Sequence, residues 1–225
     1  MTRPGLICRS ERLLLREFTP ADAADVQALH ADPRVRALLP DEQPLHEPRW
    51  AANFVACLAD FYRRHEGLGI WRCDVPLASG QDSSHGAFAG WFSLMPMHPG
   101  ADASALGVCG GDVELGSRLL PLHWGSGLSL AGGELLLRHA FERLRVRAVW
   151  GVCHPDNHPA RACLAALGFA PQGQALYEGQ PSDHHALVAA DWADLQPLSH
   201  RERLRRHRRS AVPSSSHPLT EPAHP

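Results

Sequence analysis

The chain has 225 residues, 44% of them hydrophobic, and a formal net charge of -2. That length suits one domain with a full core, the apolar content is too high for a disordered chain, and the charge excludes a molecule that binds nucleic acid over its whole surface. The longest apolar runs fall far short of the ~20 residues that cross a bilayer, and residues 1–9 lack a basic stretch followed by an apolar one, so a cytoplasmic protein is expected.

Residues 1–9 read as an N-terminal extension. Residues 11–18 (ERLLLREF) read as a strand. Thr19, Pro20 and Asp22 then form a helix start, with a cap, a proline at the first helical position and an acid in the first turn. That helix is expected to reach about His30, where Asp32-Pro33 stops it. A second helix is expected over 48–65, because Phe54, Val55, Leu58, Phe61 and Tyr62 share one face.

Strands follow at 70–75 and 88–94, joined by a polar turn at 79–86. Residues 96–111 read as a variable loop. Residues 112–120 alternate as a strand, with Val113 and Leu115 facing one way and Glu114, Gly116 and Arg118 the other. A long helix is expected over 127–144, a short apolar strand over 147–153, and a helix over 157–167 closed by Gly168. Tyr177 and residues 186–190 suggest a last antiparallel pair. After Trp192 the pattern fails, and 196–225, rich in Arg, Pro and Ser, is expected to be a disordered tail. The order predicts an α/β domain over 10–195 with a mixed, largely antiparallel sheet.

The chemically informative stretch is DVELGSRLLPLHWGSGLS, residues 112–129. A strand leads through Pro121 into a loop containing Gly125 and Gly127, and a helix begins there. Glycines admit a ligand close to the backbone, and the first turn of a helix leaves N–H groups unpaired, so the pattern suits a pyrophosphate. Leu130 stands where a dinucleotide fingerprint has its third glycine, and no G-K-[ST] is present. A tight strand–helix turn without a ligand would use the same two glycines. About thirty residues on come His154-Pro155-Asp156-Asn157 and a helix ending Leu167-Gly168-Phe169.

Together these pieces resemble the GNAT superfamily of N-acetyltransferases, in the RimJ/RimL-type branch that includes ribosomal-protein N-terminal acetyltransferases. The matching pieces, in order, are SERLLLR at 10–16, ELG at 114–116 running to Leu120-Pro121, His123-Trp124-Gly125-Ser126-Gly127, and His154-Pro155-Asp156-Asn157 with Leu167-Gly168-Phe169. The resemblance covers about 10–192. It implies a twisted sheet split by a V-shaped opening, with helices on both faces and acetyl-CoA lying in the opening as co-substrate. It implies that the backbone of Trp124, Gly125, Ser126, Gly127, Leu128 and Ser129 holds the pyrophosphate, with Leu120 and His123 leading into that loop. The pantetheine arm would pair near Leu119, and Asn157 would contact its end.

The implied reaction is direct transfer of the acetyl group to a primary amine, a protein N-terminus or a small molecule, with Glu114 as base. Family position also puts Asp41, Glu42 and Glu47 near the acceptor. The sequence departs from the family at Ser126, where a basic residue is common, around 130–132, where a glutamate often follows, at Leu164, where many relatives carry the tyrosine that protonates the thiolate, and at Ala160, often a serine.

Other readings stand beside these. Glu114 could be paired with Arg118, four residues on along the same strand face. Asn157 could cap its helix, with or without touching a ligand. Cys153, His154, Asp156 and His158 match no metal spacing, so no metal is expected. Ser129 in G-x-S-x-A lacks the strand that a nucleophile elbow needs directly before it. The six cysteines form no C-x-x-C pair and read as free thiols. Arg201, Arg203, Arg205, Arg206, Arg208 and Arg209 form the one strong charge run, a solvated tail or a contact for nucleic acid or another polyanion. The alternative function is a degenerate domain that binds CoA or a partner through that run. A homodimer would agree with the family.

Overall fold

The computed structural model describes residues 5–39, 43–77, 86–97 and 101–210. Eight strands form one sheet in the order β1-β2-β3-β4-β5-β6-β8-β7. They are β1 (Leu6–Arg9), β2 (Leu14–Arg16), β3 (Gly69–Val75), β4 (Ala87–Pro96), β5 (Val113–Leu119), β6 (Ala148–Cys153), β7 (Ala170–Tyr177) and β8 (Gln180–Val188). Every neighbouring pair is antiparallel except β5 with β6. The helices are α1 (Ala23–Ala31), α2 (Pro33–Arg36), α3 (Pro48–Arg64), α4 (Ala101–Ala105), α5 (Leu128–Arg138), α6 (His158–Leu167), α7 (Ala189–Leu195) and α8 (His200–Ser210).

Alternation along β4 divides the core. Phe92 and Leu94 point into one cluster with Leu128, Leu136 and Leu167 of α5 and α6, whereas Trp91 points into a second with Val26, Leu29, Val55 and Leu58 of α1 and α3. Helices therefore cover both faces. α3 starts with Pro48 at its first position and buries Ala51, Val55 and Leu58, one stripe at helical spacing.

Glycines bring α5 close to the sheet. A Cβ on Gly132 would stand 2.2 Å from Phe92 Cζ, and one on Gly133 would stand 2.7 Å from Leu167 Cδ1. After Arg138 the helix widens into a π turn at His139–Arg143, so α5 and that turn together fill most of the expected span.

A charge cluster ties β2 and β3 to the start of α1. Arg16 donates to both oxygens of Asp22 at 2.9 Å and to Asp74 at 3.0 Å. Arg72 reaches Asp74 at 2.7 Å, Asp22 at 3.0 Å and Asp25. These buried carboxylates and guanidiniums satisfy one another, as buried charges must.

Three expectations are corrected. Residues 6–9 are not an extension: they form β1 and pair with β2, which itself is confined to Leu14–Arg16 rather than filling 11–18. The variable loop at 96–111 contains α4. Residues 200–210 are not disordered. They form α8, pinned by Arg203, whose side chain is 2% exposed. Its guanidinium donates to Glu134 at 2.7 and 3.2 Å, to Leu195 O at 3.0 Å and to Leu167 O at 3.4 Å, and lies over the Trp192 ring. The run offers one apolar side chain, the half-buried Leu204, so the buried hydrogen bonds of Arg203 are what anchor this helix. The polar turn at 79–86 and the Pro/Ser segment after 210 lie outside the described residues, apart from Gly86.

Candidate active site

β5 and β6 lie parallel but pair only at Val113 with Val149 and Glu114 with Trp150. Beyond that point β5 continues beside β4 to Leu119, while β6 continues beside β8 to Cys153. The sheet therefore parts at Glu114. An edge of β5 backbone is left facing an opening, and unpaired strand edges offer N–H and C=O groups to a ligand.

The C-terminal end of β5 leads to the glycine loop. Pro121–His123 makes one tight helical turn, and Gly125 (φ +72) and Gly127 (φ +78) take left-handed conformations that disfavour any side chain. Nothing lies within 4 Å of a Cβ built on Gly125. The first backbone bond of α5 runs from Ala131 N to Gly127 O at 3.1 Å. The N–H groups of Ser129 and Leu130 thus begin the helix without an intrahelical acceptor, as at any helix start. Ser126 Oγ donates to His123 O at 2.6 Å and accepts from Leu128 N at 3.3 Å, so this serine shapes the loop. Trp124, half exposed, folds back and donates its indole N–H to Leu119 O at 2.8 Å. Burial moves the His123 pKa below the usual imidazole value.

The loop also holds a cation that sequence reasoning missed. Arg12 Nη2 donates to Ser126 O at 2.6 Å, and its Nη1 stands 3.4 Å from a Cβ built on Gly127. The family's basic position is Ser126 in this chain, and a guanidinium from the chain start reaches the same loop. Only the pairing of the first strands with the rest of the sheet brings residue 12 beside residue 126.

Glu114 marks the point of separation. Its carboxyl is partly buried, and its pKa is pushed up to about 7. Burial is the main cause, and the Glu178 carboxylate adds to it, while a hydrogen bond from Tyr177 and the charge of Arg118 work the other way. The Tyr177 hydroxyl donates to Glu114 Oε2 at 2.7 Å. The bond that the strand pattern suggested, from Arg118, is not the one made. Arg118 instead stacks over Trp91 at 4.9 Å and meets the buried His30 ring at 3.4 and 3.5 Å. A carboxyl titrating near neutrality can take a proton at physiological pH, which an ordinary glutamate does poorly.

Asn157 caps α6: its Oδ1 accepts from Ala160 N at 3.1 Å. The cap leaves its NH₂ group for another acceptor. Leu164 is buried in the core and lies against Gly151, where a Cβ would be 2.4 Å from Leu164 Cδ2. Leu164 thus supplies packing and no proton donor at this position.

A model of the acetyltransferase (GNAT) domain matches residues 12–170. The chain belongs to this family. Among curated proteins, the FsC-acetyl coenzyme A-N(2)-transacetylase of Aspergillus fumigatus is 28% identical over 154 residues, 68% of this chain and 57% of the relative. The chain thus spans little over half the length of that protein. Among solved structures, Mycobacterium smegmatis RimJ in complex with CoA-disulfide superposes with a TM-score of 0.62 at 19% identity, covering 92% of this chain and 94% of that one. RimL, a ribosomal L7/L12 alpha-N-protein acetyltransferase in complex with coenzyme A, gives 0.63 at 17% identity, covering 82% and 98%. These neighbours share the GNAT fold with the present chain.

Other sequence candidates fall away from the opening or into other roles. Asp41 and Glu42 lie outside the described residues, and Glu47 is exposed at the start of α3. Cys153 packs in the core, His154 accepts from Asp156 N at 3.1 Å, and His158 contacts Arg161 at 2.5 Å. Among the described residues no group of three His, Cys, Asp or Glu side chains is placed to hold a metal. No described helix is long and apolar enough to cross a membrane. The six cysteines are free thiols, and burial raises the pKa of Cys8, Cys73, Cys153 and Cys163. Ser129 lies in the first turn of α5 rather than on a strand–helix elbow.

Proposed function

We propose that this GNAT domain transfers the acetyl group of acetyl-CoA to a primary amine by direct attack in a ternary complex. The observation that carries the reading is the arrangement of three features along one strand, β5. The sheet opens after Glu114, a carboxyl with a pKa of about 7 stands at the fork, and a two-glycine loop leads into a helix at the far end of the same strand. In this reading the backbone of Trp124, Gly125, Ser126, Gly127, Leu128 and Ser129 holds the pyrophosphate, with the preceding Leu120 and His123 setting the approach of the loop. Leu119 and the free edge of β5 pair with the pantetheine arm, and the NH₂ group of Asn157 meets its end.

Glu114 takes a proton from the acceptor's ammonium, directly or through water, which frees the nitrogen lone pair. The amine attacks the thioester carbonyl, N–H groups on the free edge of β5 stabilise the oxyanion, and its collapse breaks the C–S bond, the CoA thiolate leaving with the proton that the acetylated nitrogen gives up, directly or through water. The names of the relatives, a transacetylase acting at a nitrogen and an alpha-N-protein acetyltransferase, support an amine acceptor. Glu114 and Glu178 together make the fork electronegative, which favours a cationic amine.

The test is turnover. Release of free CoA thiol is followed with peptides of varied N-terminus and with polyamines, aminoglycosides and amino acids, using wild type and Glu114→Gln. Amine-dependent CoA release that falls at least tenfold in the variant supports the reading. Turnover equal in both removes Glu114 from the mechanism, and no release with any amine favours the alternative, a domain that binds without catalysing. One observation keeps that alternative in view. α8 docks through Arg203 and exposes Arg201, Arg205 and Arg206, a cationic face suited to a polyanion such as RNA.

A further inference from the structure

Tyr177 was singled out by sequence only as a strand residue, and the strand order gives no reason for it to reach the opening. β7 is the outermost strand, with β8 and β6 between it and β5. The β7–β8 hairpin is longer than β6. β6 ends at Cys153, paired with Asp183, whereas the hairpin continues to Tyr177 paired with Gln180. Its turn is two residues, Glu178 at φ +48 and Gly179 at φ +79. Both central residues are left-handed, as in a type I′ turn, a conformation that a glutamate resists and a glycine accepts. The tip brings the phenol to 2.7 Å from Glu114 Oε2.

We propose that Tyr177 is a positioning residue for Glu114: by donating to Oε2 it fixes the carboxyl at the fork and leaves Oε1 as the oxygen that receives the acceptor's proton. The inference rests on the reading of Glu114 as the base. The phenol is suited to this task because it stays a donor throughout. Burial, and next the neighbouring Glu114 carboxylate, push its pKa far above the usual tyrosine value. The ring is held in turn by His184, which is fully buried, meets it edge to face at 6.4 Å, and is itself fixed by a hydrogen bond to Ser182 O at 3.1 Å.

Among the described residues, two charged groups besides Tyr177 act on Glu114. Glu178 lies on the hairpin turn and Arg118 on β5, while its cross-strand neighbours, Met95 on β4 and Trp150 on β6, carry no charge. The Tyr177 bond is the main influence that lowers the Glu114 pKa against burial. Losing the hydroxyl therefore moves the midpoint upward.

The test uses the full chain without any acceptor. With carboxyl-labelled glutamate, the ¹³C resonance absent from Glu114→Gln identifies Glu114. Its midpoint is expected near 7 in wild type and about one pH unit higher in Tyr177→Phe, which keeps the ring. The chain has only two tyrosines, so ¹⁹F spectra of 3-fluorotyrosine protein supply an independent reading on the wild type itself. The Tyr177 resonance should follow pH with the midpoint of Glu114. A Glu114 midpoint unchanged in Tyr177→Phe, or a Tyr177 resonance indifferent to pH from 5 to 9, overturns the proposal.

Turnover then separates the two readings. With an amine that supports CoA release, Tyr177→Phe should lower kcat about tenfold and raise the acidic limb of the pH profile, with the KM for acetyl-CoA unchanged. If Glu114→Gln abolishes turnover while the Tyr177→Phe profile overlies wild type, the base stands and the positioning role fails. If Glu114→Gln turns over like wild type, the base fails and this role of Tyr177 fails with it.

Discussion

Glu114 should reveal itself in stability before any substrate is known. Its ordinary carboxyl pKa of 4.5 is raised to about 7 in the folded chain, chiefly by burial. The folded state then holds a proton that the unfolded state has already released. Stability falls as pH rises through the window from about 4.5 to about 7, and the loss is complete above it. At 1.36 kcal/mol per unit, that loss amounts to about 3 kcal/mol. Glu114→Gln is neutral at every pH and keeps an oxygen for the Tyr177 hydroxyl. The variant should therefore match wild type near pH 4 and exceed it by about 2–3 kcal/mol at pH 8.5. Urea unfolding of both proteins across this range measures the difference, in which pH effects common to both cancel. Equal stabilities at pH 8.5 would refute the view that the fork desolvates this carboxyl.

Two further perturbations test the frame around the site. Arg203→Ala removes the buried guanidinium shared by Glu134 and the Leu167 and Leu195 carbonyls and should cost about 3 kcal/mol, seen as a lower urea midpoint. A change under about 0.5 kcal/mol would mean that α8 does not depend on this anchor. Asp22 is held at about 2: burial pushes its pKa up, and hydrogen bonds from Arg16 and Thr19 more than offset this. Its contribution is present above pH 3.8 and is lost as pH falls through about 2, so Asp22→Asn should cost at least about 2 kcal/mol at pH 7 and little below pH 2. A cost independent of pH would show that packing, not charge, is what the residue supplies.

What the sequence revealed and what it hid differ in physical kind. α3, the glycine loop and the end of α6 were legible because their signals are local. A proline start and an apolar stripe define α3, and left-handed glycines stand at 125, 127 and 168. β1 was not legible, since four residues carry too little alternation and depend on β2 for their bonds. α8 was hidden because its composition is that of a solvated tail, and one buried arginine reverses the reading through contacts with α5, α6 and α7. At the site, Glu114 could be named from its strand, but its true partner could not. Arg118 lies four residues on along the strand face, while Tyr177 is 63 residues away and arrives only through the tip of the β7–β8 hairpin. Arg12 is 114 residues from Ser126 and equally invisible along the chain.

The central claim, that the opening beside the glycine loop holds acetyl-CoA, is met most directly by thermal unfolding with and without acetyl-CoA. Wild type and Gly127→Glu should be compared, because at φ +78 a side chain strains the loop and a carboxylate repels phosphate. Ligand at about a hundredfold its dissociation constant should stabilise the wild type by ~2.7 kcal/mol, a rise of roughly 5–10 °C for a chain of this size. The account predicts that rise in wild type and its loss in the folded variant. No rise in well-folded wild type, or an equal rise in both proteins, would contradict it.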